Sequence, residues 1–213
     1  MRIELNNQDC LEAMRQMTDN QFDLAIVDPP YGIGFGSYNR TPSDKAGKRH
    51  KQKDWDESIP TQEYFDELQR VSKNQIVWGG NYFPPLWING CKGFIFWYKG
   101  NPVPNFSDGE LAWTSFNKVA RQFDFRYYGG LEGNTSASNK IHPTQKPVKL
   151  YEWLLDNYAE EGQTILDTHL GSGSIALACH NRGFDLTAFE IDKEYFEAAK
   201  KRLEIHQAQL TMF

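Results

Sequence analysis

The sequence predicts an α/β domain with a mostly parallel sheet and helices on both faces. Three observations lead there. From Gln163 onward, strand-like and helix-like segments strictly alternate, an order that implies parallel strands joined by right-handed crossovers. Phe22-Asp-Leu-Ala-Ile-Val27 is a short, mostly apolar run of the kind that is covered on both faces. The chain has 213 residues, close to the size of one domain, and can bury about 70% of its unfolded surface without a metal or disulfide staple.

Arg2 to Leu5 reads as a short strand. Asp9 to Met17 has helical spacing, with Leu11, Met14 and Met17 on one face and Asp9 placed to cap its start. The Phe22–Val27 strand stops at two prolines. Gly32 to Lys53 has no period and reads as a loop. Thr61 to Ser72 is helical, with Phe65, Leu68 and Val71 inward, and Gln75 to Trp78 is a strand closed by Gly79-Gly80. Gly93 to Tyr98, Glu110 to Phe116 and Gln122 to Tyr128 are aromatic and β-branched, hence strands, whereas Gly129 to Asn139 reads as a loop without core-forming power. A helix from Pro147 to about Glu161 has proline in its first turn and Gly162 beyond its end. Then follow strand Gln163 to Asp167, helix Ser174 to Arg182, strand Asp185 to Glu190 and a helix from Asp192 to about Gln209.

Composition narrows the function. Hydrophobic residues make up 39% and charged residues 24%, so the chain is neither disordered nor fibrous. The longest apolar runs fall far short of the ~20 residues of a membrane span, and Met1 to Asn7 lacks the apolar core of a signal peptide. A cytoplasmic protein with no membrane partner is expected. Cys10, Cys91 and Cys179 are odd in number, and neither a Cys-x-x-Cys nor a His-x-x-x-His spacing occurs, so no disulfide framework and no metal site are expected. Net charge is −5, yet Arg40 to Lys53 holds six basic residues (Arg40, Lys45, Lys48, Arg49, Lys51, Lys53) against Asp44 alone. Such a segment is either a polyanion site or a solvated loop.

Two constellations carry chemistry. In Asp167-Thr-His-Leu-Gly171-Ser-Gly173, between a strand and a helix, the glycines allow close backbone approach to a ligand and the helix start offers free N–H groups. Glu190 ends the next strand, where an acid can accept both hydroxyls of a ribose. A nucleoside-containing cofactor fits. The second is Asp28-Pro29-Pro30-Tyr31 at a strand exit. A stiff turn alone explains the prolines but neither the acid nor the aromatic. An exocyclic amino group of adenine or cytosine is a poor nucleophile because its lone pair is delocalised into the ring. The Asp28 carboxylate and the Pro29 carbonyl can accept its two N–H bonds from a backbone held rigid by proline, and Tyr31 can stack on an extruded base.

With these residues the chain resembles the amino-group DNA methyltransferases that use S-adenosylmethionine, in their circularly permuted β-class. Asp28-Pro-Pro-Tyr31 matches their catalytic motif, Asp167 to Gly173 their glycine loop, Ile141-His-Pro-Thr-Gln-Lys-Pro-Val148 the segment that precedes it, and Asn7-Gln-Asp9-Cys10 a stretch that reaches the cofactor's adenine. The resemblance spans nearly the whole chain. It departs at Thr168-His169, where the family carries Pro-Phe, and at Ser174-Ile175, where it often has two threonines.

The resemblance implies one Rossmann-like domain over residues 1–213, with a seven-stranded sheet whose one antiparallel strand lies at the edge. It divides the chain into a catalytic half (about 20–130), a basic DNA-contact loop (about 32–55) and a cofactor half (about 141–213 with 1–12). It implies catalytic roles for Asp28, Pro29, Pro30 and Tyr31. Cofactor contacts would come from Asp9, Cys10, His142, Thr144, Lys146, Asp167, His169, Gly171, Ser172, Gly173, Glu190 and Ile191. DNA phosphates would meet Arg40, Lys45, Lys48, Arg49, Lys51 and Lys53, which position a duplex without reading its sequence. The expected activity is methylation of adenine N6 in DNA, by a monomer or homodimer with room for a cognate restriction enzyme as partner. N4-cytosine or RNA-base methylation and a catalytically silent DNA-binding protein are the alternatives. Trp78-Gly-Gly-Asn81-Tyr82 leaves two readings open: Asn81 in the base pocket, or Asn81 in a left-handed turn.

Overall fold

The computed structural model describes residues 1–34, 56–101, 104, 107–128, 131–132, 135–136, 141–142 and 144–210. All six cations of the basic segment, Arg40 through Lys53, lie outside the described residues.

In chain order the elements are β1 (Ile3–Asn6), α1 (Cys10–Met14), β2 (Phe22–Val27), α2 (Gln62–Val71), β3 (Ser72–Trp78), two short 3-10 turns (Gly80–Tyr82 and Pro84–Trp87), β4 (Phe94–Tyr98), β5 (Gly109–Thr114) and β6 (Arg121–Asp124). They continue with β7 (Tyr127–Tyr128), β8 (Leu131–Glu132), β9 (Thr135–Ser136), α3 (Val148–Tyr158), β10 (Thr164–Asp167), α4 (Ser174–Arg182), β11 (Asp185–Phe189) and α5 (Lys193–Leu210). Asp9 caps α1 as its position suggests, accepting the Leu11 and Glu12 N–H groups at 2.8 and 3.0 Å. Thr61 does the same for α2 through the Tyr64 N–H.

The main sheet runs β1-β11-β10-β2-β3-β5-β4-β6. It has eight strands where the resemblance implies seven. Each of the eight strand-like segments of the sequence enters it; the smaller number belongs to the family pattern, and β6, paired in parallel outside β4, is the strand beyond it. The reversed strand is also not at the edge. β5 runs antiparallel to both β3 and β4 and lies between them. That insertion reverses chain direction, so the start of β5 lies beside the carboxyl ends of its neighbours. The stretch Gln122 to Tyr128 splits between β6 and β7, and part of Gly129 to Asn139 pairs as a small sheet, β7-β8-β9, instead of remaining a loop.

Alternation along β2 explains the two layers. Leu24 and Ile26 point into a cluster with Leu150 and Leu154 of α3, Ile175 of α4 and Leu203 of α5. Ala25 and Val27 point the other way, among Met14 of α1 and Phe65 and Leu68 of α2. Burial on both faces accounts for the continuous apolar run. Gly109 is required where β4 and β5 pair, since a Cβ there would stand 2.2 Å from the Trp97 carbonyl oxygen. We expect Gly109→Ala to destabilise the protein by about 2 kcal/mol through overpacking against backbone, read as a lower urea midpoint; an unchanged midpoint would show that the ladder yields without cost.

Candidate active site

The carboxyl ends of β10 and β2 are neighbours in the sheet, and from them the strand order runs outward in opposite directions, the switch point at which open α/β sheets bind ligands. Both sequence constellations lie there, Asp28 one residue past β2 and Asp167 at the end of β10.

Asp28 is held by two donors. Tyr31 Oη donates to Oδ1 at 2.6 Å, and Lys146 Nζ donates to Oδ2 at 2.5 Å. Lys146 is only 3% exposed; its ammonium also lies 3.2 Å from Tyr31 Oη and 3.1 Å from Glu110 Oε2. Glu110 in turn pairs with Lys99. Burial alone would lower the Lys146 ammonium, but Asp28 and Glu110 more than reverse that and hold it above its ordinary value. Burial alone would raise Glu110, but Lys146 and Lys99 bring its carboxyl down to about 2. Burial, followed by the charge of Asp28, keeps the Tyr31 phenol protonated well above its usual range, so Tyr31 is a donor here.

The loop carrying Tyr31 is fixed from below. Asp56, 2% exposed, accepts the Tyr31 and Gly32 N–H groups at 2.7 and 2.9 Å, and its carbonyl accepts the Gly34 N–H at 2.9 Å. Gly34 and Asp56, the described residues that flank the stretch holding the basic segment, are thus both tied close to Tyr31. The Tyr31 ring stacks on Tyr82 with centroids 5.1 Å apart and presses against Gly79, where a Cβ would stand 2.2 Å from the ring. Gly79 adopts φ +67° besides, so this position needs glycine twice over.

On the other side of the switch point, Gly171 donates its N–H to Glu190 Oε2 at 2.8 Å, while Glu190 Oε1 accepts the Asp192 N–H. Gly173 takes φ +73°, and a Cβ there would stand 3.1 Å from the Ala199 side chain, so glycine brings α4 close to α5. Arg202 of α5 fastens the loop through the Ser172 carbonyl. The His142 ring packs edge-on to Tyr195, with centroids 4.4 Å apart, its Nδ1 near Thr144 Oγ1, and lies alongside Gly171. Asp167 is buried and accepts the His169 N–H. Burial pushes its carboxyl up to about 8, with the charges of Asp28 and Glu190 adding to the rise. Burial pushes the His169 imidazole down to about 4, so the ring is neutral near pH 7. Burial beside Asp9 pushes the Cys10 thiol up to about 12, unsuited to a nucleophile.

The structure thus brings Asp28, Tyr31, Lys146, Asp167, Gly171, Ser172, Gly173, Glu190, His142, Thr144 and His169 to one edge of the sheet. Lys146, expected beside the cofactor, directs its ammonium at Asp28. Asp9 spends Oδ1 on capping α1, and Ile191 is 69% exposed at the rim. Asn81 is exposed, and from its segment it is Tyr82 that meets Tyr31. Sequence reasoning missed Asp56, Tyr64, Tyr82, Lys99 and Glu110. Only Tyr82 had a local signal, as an aromatic after a glycine pair at a strand exit.

Fold and site together define an enzyme that brings an amino-bearing base to a nucleoside-containing cofactor. A family model described as DNA methylase matches residues 77–201, more than half of the chain, and the protein belongs to that family. It is a DNA methyltransferase. It is 25% identical to type II methyltransferase M.HpaI of Haemophilus parainfluenzae over 91% of this chain and 72% of that protein. It is also 25% identical to type II methyltransferase M2.DpnII of Streptococcus pneumoniae, over 95% and 90%. Among solved structures, M1.HpyAVI in complex with SAM matches with TM-score 0.64 and 24% identity, covering 94% of this chain and 100% of that one. PvuII DNA methyltransferase, described as cytosine-N4-specific, matches with TM-score 0.65 and 13% identity over 98% and 91%.

Asp167 contributes a distinct pH dependence to the ligand-free protein. Between about pH 4 and pH 8 its carboxyl in the folded protein retains a proton that the unfolded chain has released, so its contribution to stability falls as pH rises through that window, while the buried His169 contributes the opposite trend below its ordinary pKa. Asp167→Asn keeps the acceptor for the His169 N–H and removes this dependence. We expect its Tm at pH 8 to exceed that of the native protein by about 5 °C, with the gap closing towards pH 4; parallel curves would refute the assignment.

Proposed function

We propose that this enzyme transfers the methyl group of S-adenosylmethionine to the exocyclic N6 amino group of adenine in DNA. The supporting observation is one edge of the sheet that carries both a rigidly held acceptor, Asp28, and an acid-lined glycine loop. The donor set fits the cofactor. Burial, with the charges of Asp28 and Glu190 adding to it, keeps Asp167 protonated near neutrality, and the carboxylates of Asp28 and Glu190 suit a ligand with a positive sulfur. S-adenosylmethionine supplies an electrophilic methyl group. Gly171, Ser172, Gly173 and Asp167 would surround its methionine part, Glu190 its ribose, and Asp9, Cys10 and Ile191 its adenine, with His142, Thr144 and His169 walling the pocket.

The substrate amino group would donate to Asp28 and to the Pro29 carbonyl, while Pro30 restricts the backbone. Lys146 and Tyr31 each occupy one acceptor site on an Asp28 oxygen, leaving further lone pairs for the base. As the nitrogen gains its methyl group it becomes positive, and Asp28 stabilises that charge and takes up the released proton. The extruded base would join the Tyr31–Tyr82 stack. Adenine is favoured over cytosine because an acid begins the motif.

The domain reads as one circularly permuted unit, with the catalytic half first. Arg40, Lys45, Lys48, Arg49, Lys51 and Lys53 would grip phosphates at the pocket mouth, since Gly34 and Asp56, which flank their stretch, are both tied close to Tyr31. Relatives named type II methyltransferases support a modification role beside a cognate restriction enzyme. No described helix is long and apolar enough to cross a membrane. The cytoplasm as its place of work follows from DNA as its substrate.

Incubating the protein with labelled S-adenosylmethionine and duplex DNA, then digesting to nucleosides, should give N6-methyladenine, and Asp28→Ala should lower the rate by about 10³-fold. Label on N4 of cytosine, or transfer to RNA alone, overturns the substrate; DNA binding without any transfer by the native protein overturns the enzyme reading. Replacing Lys45, Lys48 and Arg49 with Gln should weaken DNA binding on all sequences and flatten its logarithmic salt dependence by about 0.9 for each phosphate no longer neutralised. An unaltered salt slope assigns the phosphate grip to other cations.

A further inference from the structure

We propose that Glu110, near the start of the reversed strand β5, is a positioning residue for methyl transfer: it shares the buried Lys146 ammonium with Asp28 and so leaves the Asp28 carboxylate a net negative field towards the incoming amino nitrogen. This rests on the function proposed above and adds to it a residue that belongs to neither sequence constellation.

Lys146 acts on Asp28 in two opposed ways. A buried ammonium 2.5 Å from a carboxylate neutralises it. A substrate nitrogen that turns positive as its bond to the methyl carbon forms would gain little from such a neutral pair. Yet Lys146 is needed, because with Tyr31 it fixes the orientation of Asp28. Glu110 resolves the conflict. Its Oε2 stands 3.1 Å from Lys146 Nζ, buried and outside hydrogen-bonding geometry, so what it offers is charge more than a directed bond. Two carboxylates then share one ammonium. Lys99, which balances Glu110 through Oε1, is one link further along, and it leans over the Trp97 ring at 4.8 Å. Charges alternate from Lys99 through Glu110 and Lys146 to Asp28, and the negative end faces the substrate.

Backbone geometry explains how a residue of the reversed strand arrives there. Glu110 pairs with Trp97 across the β4–β5 ladder, and β5 begins where its neighbours end. The groups facing Lys146 are Asp28 from the end of β2, Tyr31 from the loop beyond it, Glu110 from β5 and Asp167 from β10, with the Trp78 ring of β3 5.5 Å away. Among the carboxylates, Asp28 and Glu110 exert the largest pull on its proton. Removing Glu110 therefore lowers the pH at which Lys146 loses its charge, and with it the grip on Asp28.

The test compares Glu110→Gln and Glu110→Asp with the native protein. Lysine side-chain NMR, with the Lys146 signal assigned by its loss in Lys146→Met, should place the titration of Lys146 in Glu110→Gln at least about one pH unit below the native one. The alkaline limb of kcat should move down by the same interval. At pH 7.5, kcat should fall about 10- to 100-fold, KM for S-adenosylmethionine should stay within about twofold, and Glu110→Asp should recover most of the rate. If Glu110→Gln does not fold, Glu110→Asp carries the test, with the same directions at smaller size. A folded Glu110→Gln protein with native kcat and pH profile overturns the proposal, as does a loss of kcat without any change in the Lys146 titration. Failure of the native protein to methylate DNA instead overturns the functional reading, and shows before any variant is made.

Discussion

The site depends on how one residue, Lys146, is held. Its ammonium binds Asp28, 118 residues earlier, and its backbone carbonyl accepts the Ser174 hydroxyl at 2.7 Å at the start of α4. One residue thus ties the strand-exit prolines to the helix that follows the glycine loop. Burying a charge so completely is costly unless partners surround it. Asp28 and Tyr31 of one strand exit, Glu110 of β5 and the Trp78 ring of β3 supply them, from three segments of the chain. Pro147 then starts α3 immediately, so the backbone of Lys146 cannot shift without disturbing a helix whose Leu150, Leu154 and Leu155 are wholly buried.

What could be read in the sequence and what could not divide along the same line. Phe22–Val27 and Ser174–Arg182 form the elements their apolar pattern implies, and Asp9 caps the helix that follows it, because these are decided by neighbours in the chain. The Asp28 and Asp167 motifs meet because parallel topology puts both at one edge of the sheet, which alternation of strands and helices reveals. Glu110 and Asp56 carry no such mark. Each is one acid among many until pairing across β4–β5, or closure of the segment between Gly34 and Asp56, brings it to the site. The small β7-β8-β9 sheet is likewise hidden, since Gly, Ser and Asn give no pattern to a ladder only two residues long. The count of strands differs for another reason: seven is the family's number, whereas eight segments of this chain each meet the physical criteria for a strand.

Thr168-His169, where the family carries Pro-Phe, shows a departure that is coherent once its partner is seen. Thr168 Oγ1 lies 2.7 Å from the Tyr64 hydroxyl and 2.9 Å from His169 Nδ1, and the rings of Tyr64 and His169 meet edge-on at 5.5 Å. A proline at position 168 would leave the buried Tyr64 hydroxyl without this partner, at the cost of an unsatisfied polar group. The change is therefore shared by three residues, two of them adjacent in the chain and one on α2. With its imidazole neutral, His169 presents a flat, uncharged ring at this position.

Charge is distributed in the same spirit. The segment from Arg40 to Lys53 carries almost all the local positive excess, while the body of the protein is acidic and gathers Asp28, Asp167 and Glu190 around one edge of its sheet. A polyanion would be repelled by that edge if nothing stood before it. A cationic cofactor would be drawn to it. Six cations gathered in one stretch of sequence between Gly34 and Asp56 supply a local positive charge that the net value hides. An acidic net charge is therefore no argument against DNA as substrate, because phosphate neutralisation is local and the chain's cations are unevenly distributed.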